Sequence, residues 1–431
     1  MRIYYILFFF LVIGSFGCVQ PYKTFSKLPP GIWRGVLLLD RQPSIKYGDD
    51  RDIEKKFDRE SELPFNFDIS YDSDSSLIMT IYNGVEKIEV THIEFGRDIQ
   101  TAKDTLLFHF DIYDSYIKAI YEDGVMEGDW VVNYKDKYAI PFKAVHGNKM
   151  RFDMVPSEPL SNFDGQWSCI FDPSNPEEYL ADAYFKQEGS KLTGTFMTET
   201  GDYRYLEGLV SGDKMYMSAF DGAHAFWFSG KMLPDGTING AFRSGTHYSV
   251  TWEGKKSKFS ALKDPYSMTK YKENEPIQFS FLNSEGQVVS LNDERYNGKP
   301  KIIQIFGTWC PNCMDETVFL QDYFTKNSDE YIPIISIGFE RYEDTLRSLN
   351  ALNRFKNKMG INSEVLYGGY YNKKKSMEAL PWLDTLISYP TLIMVDKNNI
   401  IRSVHTGFSG PATPHYDDFQ KTFERNLQKL K

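Results

Sequence analysis

The sequence predicts a multidomain protein: two antiparallel β-barrel domains followed by an α/β domain. Three observations carry this. The chain has 431 residues, enough for about three domains of ordinary size. From Gly31 to about Lys256, apolar residues alternate with polar ones and turn signals recur, with no long amphipathic helix. Beyond Lys272, strand-like runs alternate with helical ones. Composition agrees with a folded chain: 32 Phe, 28 Tyr and 7 Trp supply core material. A formal net charge of −10 argues against a nucleic-acid partner and against a broad basic face on anionic lipid. Four cysteines are too few for a disulfide scaffold.

Targeting comes first along the chain. Met1-Arg2 is a minimal basic start, and Ile3 to Ile13 is almost unbroken apolar sequence. Such a run is short for a bilayer span but suits a signal peptide. By itself it also fits an ordinary secretory signal or an uncleaved anchor. Gly14-Ser15-Phe16-Gly17-Cys18 resembles a bacterial lipobox, with Phe16 as its departure from that pattern. The resemblance implies a lipoprotein signal peptide over 1–17, lipidation of Cys18 and a linker over 18–30. It places the chain on a bacterial cell-envelope membrane, facing the periplasm, where disulfide chemistry is permitted.

The β region divides into a first barrel over 31–156 and a second over 157–256. Leu106, Phe108 and Phe110 alternate, as do Ile140, Phe142 and Ala144, then Tyr248, Val250 and Trp252. Asn83-Gly84, Asp123-Gly124 and Asp235-Gly236 mark turns. The region repeats itself. Gly31-Ile32-Trp33 matches Gly165-Gln166-Trp167, and Asp123-Gly124 with Gly128 matches Asp235-Gly236 with Gly240. The run from Lys87 to Phe95 is aligned with Asp213 to Phe220, and Trp130 to Ala144 with Phe242 to Trp252. The first copy is the longer, partly in the charged stretch Lys46 to Glu62. The Gly-x-Trp openings resemble lipocalin-like folds. The barrels then serve as a ligand cavity, a protein-docking surface or a spacer from the membrane. Cys169 reads as a buried apolar thiol, or as a partner in an internal disulfide relay.

A polar, Lys-rich connector over 257–272 leads to the α/β domain, 273–431. Ile302 to Phe306 is a strand, followed by Trp309-Cys310-Pro311-Asn312-Cys313 and a helix from Met314 to about Phe324. Ile334 to Phe339 is a strand and Tyr342 to Met359 a helix. Thr391 to Val395 and Ile400 to Val404 form a hairpin. The apolar spacing of Tyr416, Phe419, Phe423, Leu427 and Leu430 gives a terminal helix, with Asp417 and Asp418 complementing its dipole.

Chemistry centres on the Cys-x-x-Cys pair. Cysteines three apart at a strand-to-helix junction can close a small disulfide. A helix N-terminus beside Cys310 favours its thiolate, the attacking form, and makes it the exposed sulfur. Cys313, one turn in, is the shielded resolving thiol. Pro311 suits the first helical turn. Zinc needs two further ligands, and the seven His show no ligand spacing. A peroxidatic cysteine would want Thr where Gly307 stands. Neither a metal nor a cofactor is expected.

Residues 275–431 resemble the TlpA/ResA-like branch of the thioredoxin superfamily. The likeness rests on Glu275 to Phe281, Val289-Ser290-Leu291, Gly298-Lys299-Pro300, Phe306 to Cys313, Glu316 and Tyr389-Pro390-Thr391. It implies a thioredoxin-like fold and a thiol–disulfide oxidoreductase with a Cys310–Cys313 redox disulfide and Glu316 as an acidic helper. Trp309, Pro311, Tyr389 and Pro390 would contact substrate, the last from a cis-proline loop facing the cysteines. Gln304 replaces the buried Asp of cytoplasmic thioredoxins, so the resolving thiol's proton falls to Glu316 or to water. The implied partners are exported cysteine-containing proteins and a membrane thiol–disulfide electron donor. The alternative is a ligand- or partner-binding lipoprotein in which the redox domain is accessory.

Overall fold

The computed structural model describes residues 27–40, 61–73 and 75–430. The signal segment, Cys18 and most of the charged stretch before Glu62 lie outside the described residues. The first unit contains β1 (Gly31–Leu38), β2 (Glu62–Tyr71), β3 (Leu77–Asn83), β4 (Glu86–Val90), β5 (Ile93–Arg97), β6 (Asp104–Phe110), β7 (Ser115–Glu122), β8 (Val125–Val132) and β9 (Ala139–His146). They form one antiparallel sheet in the order β4-β3-β2-β1-β9-β8-β7-β6-β5, an open half-barrel edged by β4 and β5.

The second unit contains β10 (Gly165–Phe171), β11 (Tyr179–Glu188), β12 (Lys191–Thr198), β13 (Gly201–Asp202), β14 (Leu206–Ser211), β15 (Lys214–Phe220), β16 (Ala225–Met232), β17 (Ile238–Ser244) and β18 (Tyr248–Lys256). Here β11 pairs with both β10 and β12, so the sheet closes into an eight-stranded barrel with β13 appended to β12. Inward aromatics fill it: Phe228 stacks on Phe196 at 4.5 Å and on Phe242 at 4.4 Å. Side chains of this size can occupy the interior of an eight-stranded barrel.

The repeat is visible in geometry. Gly31 and Gly165 open their strands at φ +109° and +101°, where a side chain is disfavoured. Both following tryptophans are buried, and each indole N–H donates to the carbonyl four residues earlier, Pro29 for Trp33 and Phe163 for Trp167. Gly128 and Gly240 stand in matching strands, where an added Cβ would come within 1.9 Å of Lys118 O and 2.2 Å of Ser229 O. One aligned segment is corrected. Counted back from the shared Asp-Gly turns, β15 corresponds to β6, not to the run from Lys87 to Phe95, which forms β4 and β5. Similar residue patterns in neighbouring strands of a meander allow that slip.

The half-barrel's open side is filled by its neighbour. Phe220, Ala225 and Trp227, on the second unit's β15 and β16, belong to the first unit's core. Phe220 lies 4.5 Å from Phe65 and edge-on to Trp130 at 5.2 Å. Burying side chains of this size contributes about 2–3 kcal/mol each, enough to join the two units.

The connector leads into α1 (Pro265–Met268), capped by Asp264. Thr269 Oγ1 then meets Thr406 Oγ1 at 2.7 Å, so docking on the last domain begins within the connector. That domain contains β19 (Ser280–Asn283), β20 (Val288–Ser290), β21 (Lys301–Phe306), α2 (Pro311–Lys326), β22 (Ile334–Glu340), α3 (Thr345–Lys358), β23 (Glu364–Tyr370), α4 (Lys373–Ala379), β24 (Thr391–Val395), β25 (Ile401–Thr406) and α5 (Tyr416–Gln428). The sheet order is β20-β19-β23-β22-β21-β24-β25, with β21, β22 and β23 parallel and the rest antiparallel. β21 and β22 are buried throughout, as central strands covered on both faces must be.

Candidate active site

The two cysteines lie where the C-terminal end of β21 meets α2. Cys310 is the N-cap of α2, and its Sγ accepts the Cys313 N–H at 3.3 Å. That bond fills one of the orphan donors of a helix start. The Cys310 thiol also reaches Tyr389 O at 3.5 Å. Pro311 occupies the first helical position and Cys313 is fully buried. Burial and the neighbouring Cys310 push the Cys313 thiol well above its ordinary range.

Glu316 lies on the inner face of α2, fully buried. Its Oε2 accepts from Gln304 Nε2 at 2.9 Å, while Oε1 is buried without a partner. Burial raises its carboxyl to about 8. Gln304 thus supplies the amide that holds the carboxyl, and it also reaches Cys313 O at 3.4 Å and Thr317 Oγ1 at 3.1 Å. Above the cysteines, Thr308 donates to Glu340 through both N–H and Oγ1, at 3.0 and 2.8 Å. Glu340 is buried and pushed up to about 7. Its signal in the sequence is a lone carboxylate ending an otherwise apolar strand.

Trp309 donates to Phe339 O at 2.9 Å and packs edge-on to Tyr371 and Tyr389 at 4.5 and 5.7 Å. The Tyr389–Pro390 peptide is cis, and the Tyr389 hydroxyl meets Ser376 Oγ at 2.8 Å. Trp309, Cys310, Pro311 and Tyr389 share one cleft of about 230 Å³, whereas Glu316 lies beneath it. Pro390 holds the next loop, accepting the Gly407 N–H at 2.9 Å. Cys169 is not with them: it is buried inside the second barrel, its thiol 3.8 Å from Trp167 O. The fold does bring His92, His109 and Asp111 together on the first unit, though their spacing gave no sign of it. Asp111 there is paired with Lys358 at 2.7 Å.

Cys310 is only 7% exposed, not the open sulfur expected from its place on the helix. The reason is the second barrel. Its segment between β12 and β14 lies over the cleft: Thr200 O accepts from Ser388 Oγ at 2.9 Å, and Asp202 O from Asn312 Nδ2 at 3.2 Å. The Asp202 carboxylate accepts the Gly410 N–H at 2.8 Å. Burial raises that carboxyl to about 6. Arg204 joins all three domains, pairing with Glu86 of β4 and with Asp315 of α2 at 3.3 Å and donating to Pro311 O at 3.4 Å. Asp315 is partly buried, and desolvation raises its carboxyl to about 7 despite Arg204. Nothing local in the sequence marks Asp202 or Arg204, because their partners lie in other domains.

The last domain resembles known proteins. Residues 272–419 match the Redoxin family profile. Over 127 residues the chain is 24% identical to the thiol:disulfide interchange protein DsbE of Tatumella citrea, a match spanning 29% of this chain and 59% of that protein's length. Among solved structures it is similar to a thiol:disulfide interchange protein of the thioredoxin family from Chlorobium tepidum TLS, at 19% identity and TM-score 0.27, covering 36% of this chain and 99% of that one. It is also similar to a DsbF homologue from Corynebacterium diphtheriae, at 19% identity and TM-score 0.29, covering 39% and 99%. The domain that carries Cys310 and Cys313 is therefore a Redoxin domain of thioredoxin-like fold.

Proposed function

We propose that the chain is a thiol–disulfide oxidoreductase that reduces disulfides by exchange through Cys310 and Cys313. The observation that carries this is Cys310 at the N-cap of α2 with its Sγ bonded to the Cys313 N–H. The Cys310 thiolate attacks one sulfur of the substrate disulfide. A Cys310–substrate bond forms, the substrate S–S bond breaks, and the departing thiolate takes up a proton. Cys313, losing its proton to the ionised fraction of Glu316 or to water, then attacks Cys310 Sγ. The second substrate thiol leaves, and the protein holds the Cys310–Cys313 disulfide, having given up two electrons. Trp309, Pro311, Tyr389 and Pro390 line or support the substrate cleft. A membrane dithiol donor returns the pair to the reduced state. The substrates are exported cysteine-containing proteins, met at a membrane to which lipid on Cys18 anchors the chain, facing the periplasm. No cofactor takes part.

The test is insulin reduction with dithiothreitol as donor. Wild type should accelerate it and Cys310→Ser should abolish the acceleration. An equilibrium potential near about −270 mV is expected, as against about −120 mV for an oxidant. Acceleration retained in Cys310→Ser overturns the reading.

A further inference from the structure

Basic side chains from all three domains face one cavity beside the cysteines. It measures about 270 Å³, and its lining includes Lys135 from the first unit, His224 and His247 from the second, and Arg341 just after β22. Among the described residues no carboxylate lines it. The Arg341 guanidinium lies 4.1 Å from the Trp309 ring centroid, 4.8 Å from that of Tyr371 and 5.4 Å from that of Tyr134. Its Nε is buried with no hydrogen-bond partner. Among the described residues, neither Arg341 nor Lys135 has a carboxylate within ion-pair distance. The nearby acids are committed elsewhere. Glu340 spends both oxygens on Thr308, and Asp221 accepts the Ala223 and His224 N–H groups and faces the His224 ring at 3.6 Å.

Lys135 also lies 4.3 Å from the Tyr138 ring centroid, but aromatic faces do not cancel the repulsion between Lys135 and Arg341, which an anion between them would relieve. The strain shows on the cavity's members. Burial and Arg341 lower Lys135 to about 8, and burial with Lys135, His224 and Arg341 lowers His247 to about 4. Tyr203, His224, Phe226 and Trp309 are shared walls between this cavity and the cleft that contains Cys310. The carboxylate lining that cleft, Asp202, is taken up by the N–H groups of Arg204 and Gly410.

We propose that the two adjoining cavities take a disulfide whose flanking groups carry carboxylates, the sulfur at Cys310 and a carboxylate between Arg341 and Lys135. This rests on the exchange reading above and names its substrate chemistry. The reaction is the same: the Cys310–sulfur bond replaces the substrate S–S bond, and Cys313 then releases the second thiol, two electrons passing from the protein to the substrate.

The experiment uses the reduced full-length protein in single turnover with three disulfides of similar size. These are dithiodipropionate, a dianion, hydroxyethyl disulfide, neutral, and cystamine, a dication. Each rate is divided by that of dithiothreitol with the same compound, which removes leaving-group effects. The normalised rate for the dianion should exceed that for the neutral compound by about tenfold, with cystamine slowest. Raising salt from about 0.05 to 0.5 M should narrow the gap. Lys135→Gln should cut the dianion-to-neutral ratio several-fold, and Lys135→Arg should keep it. Equal normalised rates for the three compounds, or an unchanged ratio in Lys135→Gln, overturn the proposal. If none of the three compounds converts the reduced protein to a Cys310 mixed disulfide or the Cys310–Cys313 disulfide, the exchange reading itself has failed. An Asp-flanked peptide disulfide beside its Asn-flanked twin identifies the source. A matching preference there assigns the anion to a protein segment, and a preference confined to dithiodipropionate assigns it to a small molecule.

Discussion

Glu316 was marked in the sequence by the family resemblance alone, its position on the helix fitting a solvated face equally well, and the structure buries it on the inner face of α2 against Gln304. Its carboxyl is raised to about 8, against about 4.3 in an unfolded chain. Between those values the folded protein holds a proton that the unfolded chain has released. Stability therefore falls as pH rises through that window. Glu316→Gln removes the penalty. Its denaturation midpoint should gain on wild type from about pH 5 to about pH 8 and level off above. A difference constant with pH would contradict the assignment. The same variant should resolve mixed disulfides at least about tenfold more slowly, measured as the lifetime of the Cys310 adduct. The Cys-x-x-Cys pair was legible because its relation is local, and Trp309 and Glu316 were legible only through the family motif around it. Glu340 and Arg341 were not, since their partners Thr308 and Trp309 lie more than a strand and helix away.

At the scale of elements, the strands and turns followed from period-two alternation and Asp-Gly pairs, and α3 and α5 from their apolar stripes. The segment that links β12 to β14 carries no such pattern, yet it decides access to Cys310. Gly407 is its footing on the Redoxin domain: at φ +73°, an added Cβ would meet Thr200 O at 2.6 Å. Backbone cannot yield there as a side chain could, so Gly407→Ala should push the segment off the cleft. The expected result is alkylation of Cys310 by a bulky maleimide at roughly tenfold the wild-type rate, the open sulfur being the faster to react. Ser388→Ala, which removes one hydrogen bond to Thr200, should give a smaller increase. Mass spectrometry of the labelled protein against time checks both, and wild-type rates in Gly407→Ala would show that this contact does not limit access.

Over the whole molecule, the sequence revealed the repeat but not its asymmetry. Closure of one barrel and opening of the other depend on whether the edge strands meet, which no local pattern records. The half-barrel's missing wall comes from Phe220 and Trp227, more than one hundred residues from most of the core they complete. Arg204 is the polar counterpart, holding Glu86 and Asp315 in one partly buried cluster. Removing Arg204 leaves Asp315 without its cation and Glu86 with the Asn83 amide at 3.3 Å, a loss on the order of 1–3 kcal/mol. Arg204→Met should lower the denaturant midpoint accordingly and separate the Redoxin transition from that of the barrels. One cooperative transition at the wild-type midpoint would show that the cluster does not join the domains.

The division of labour between Cys310 and Cys313 is the central claim, and trapping tests it directly. Each single Cys→Ser variant, reduced and mixed with an oxidised protein substrate, is quenched with acid and examined by mass spectrometry for mixed disulfides. Cys313→Ser should accumulate an adduct at Cys310, because the attacking thiol remains and the resolving one is gone. Cys310→Ser should accumulate none, since Cys313 is fully buried. Equal adducts in both variants, or an adduct at Cys313 alone, would contradict the account.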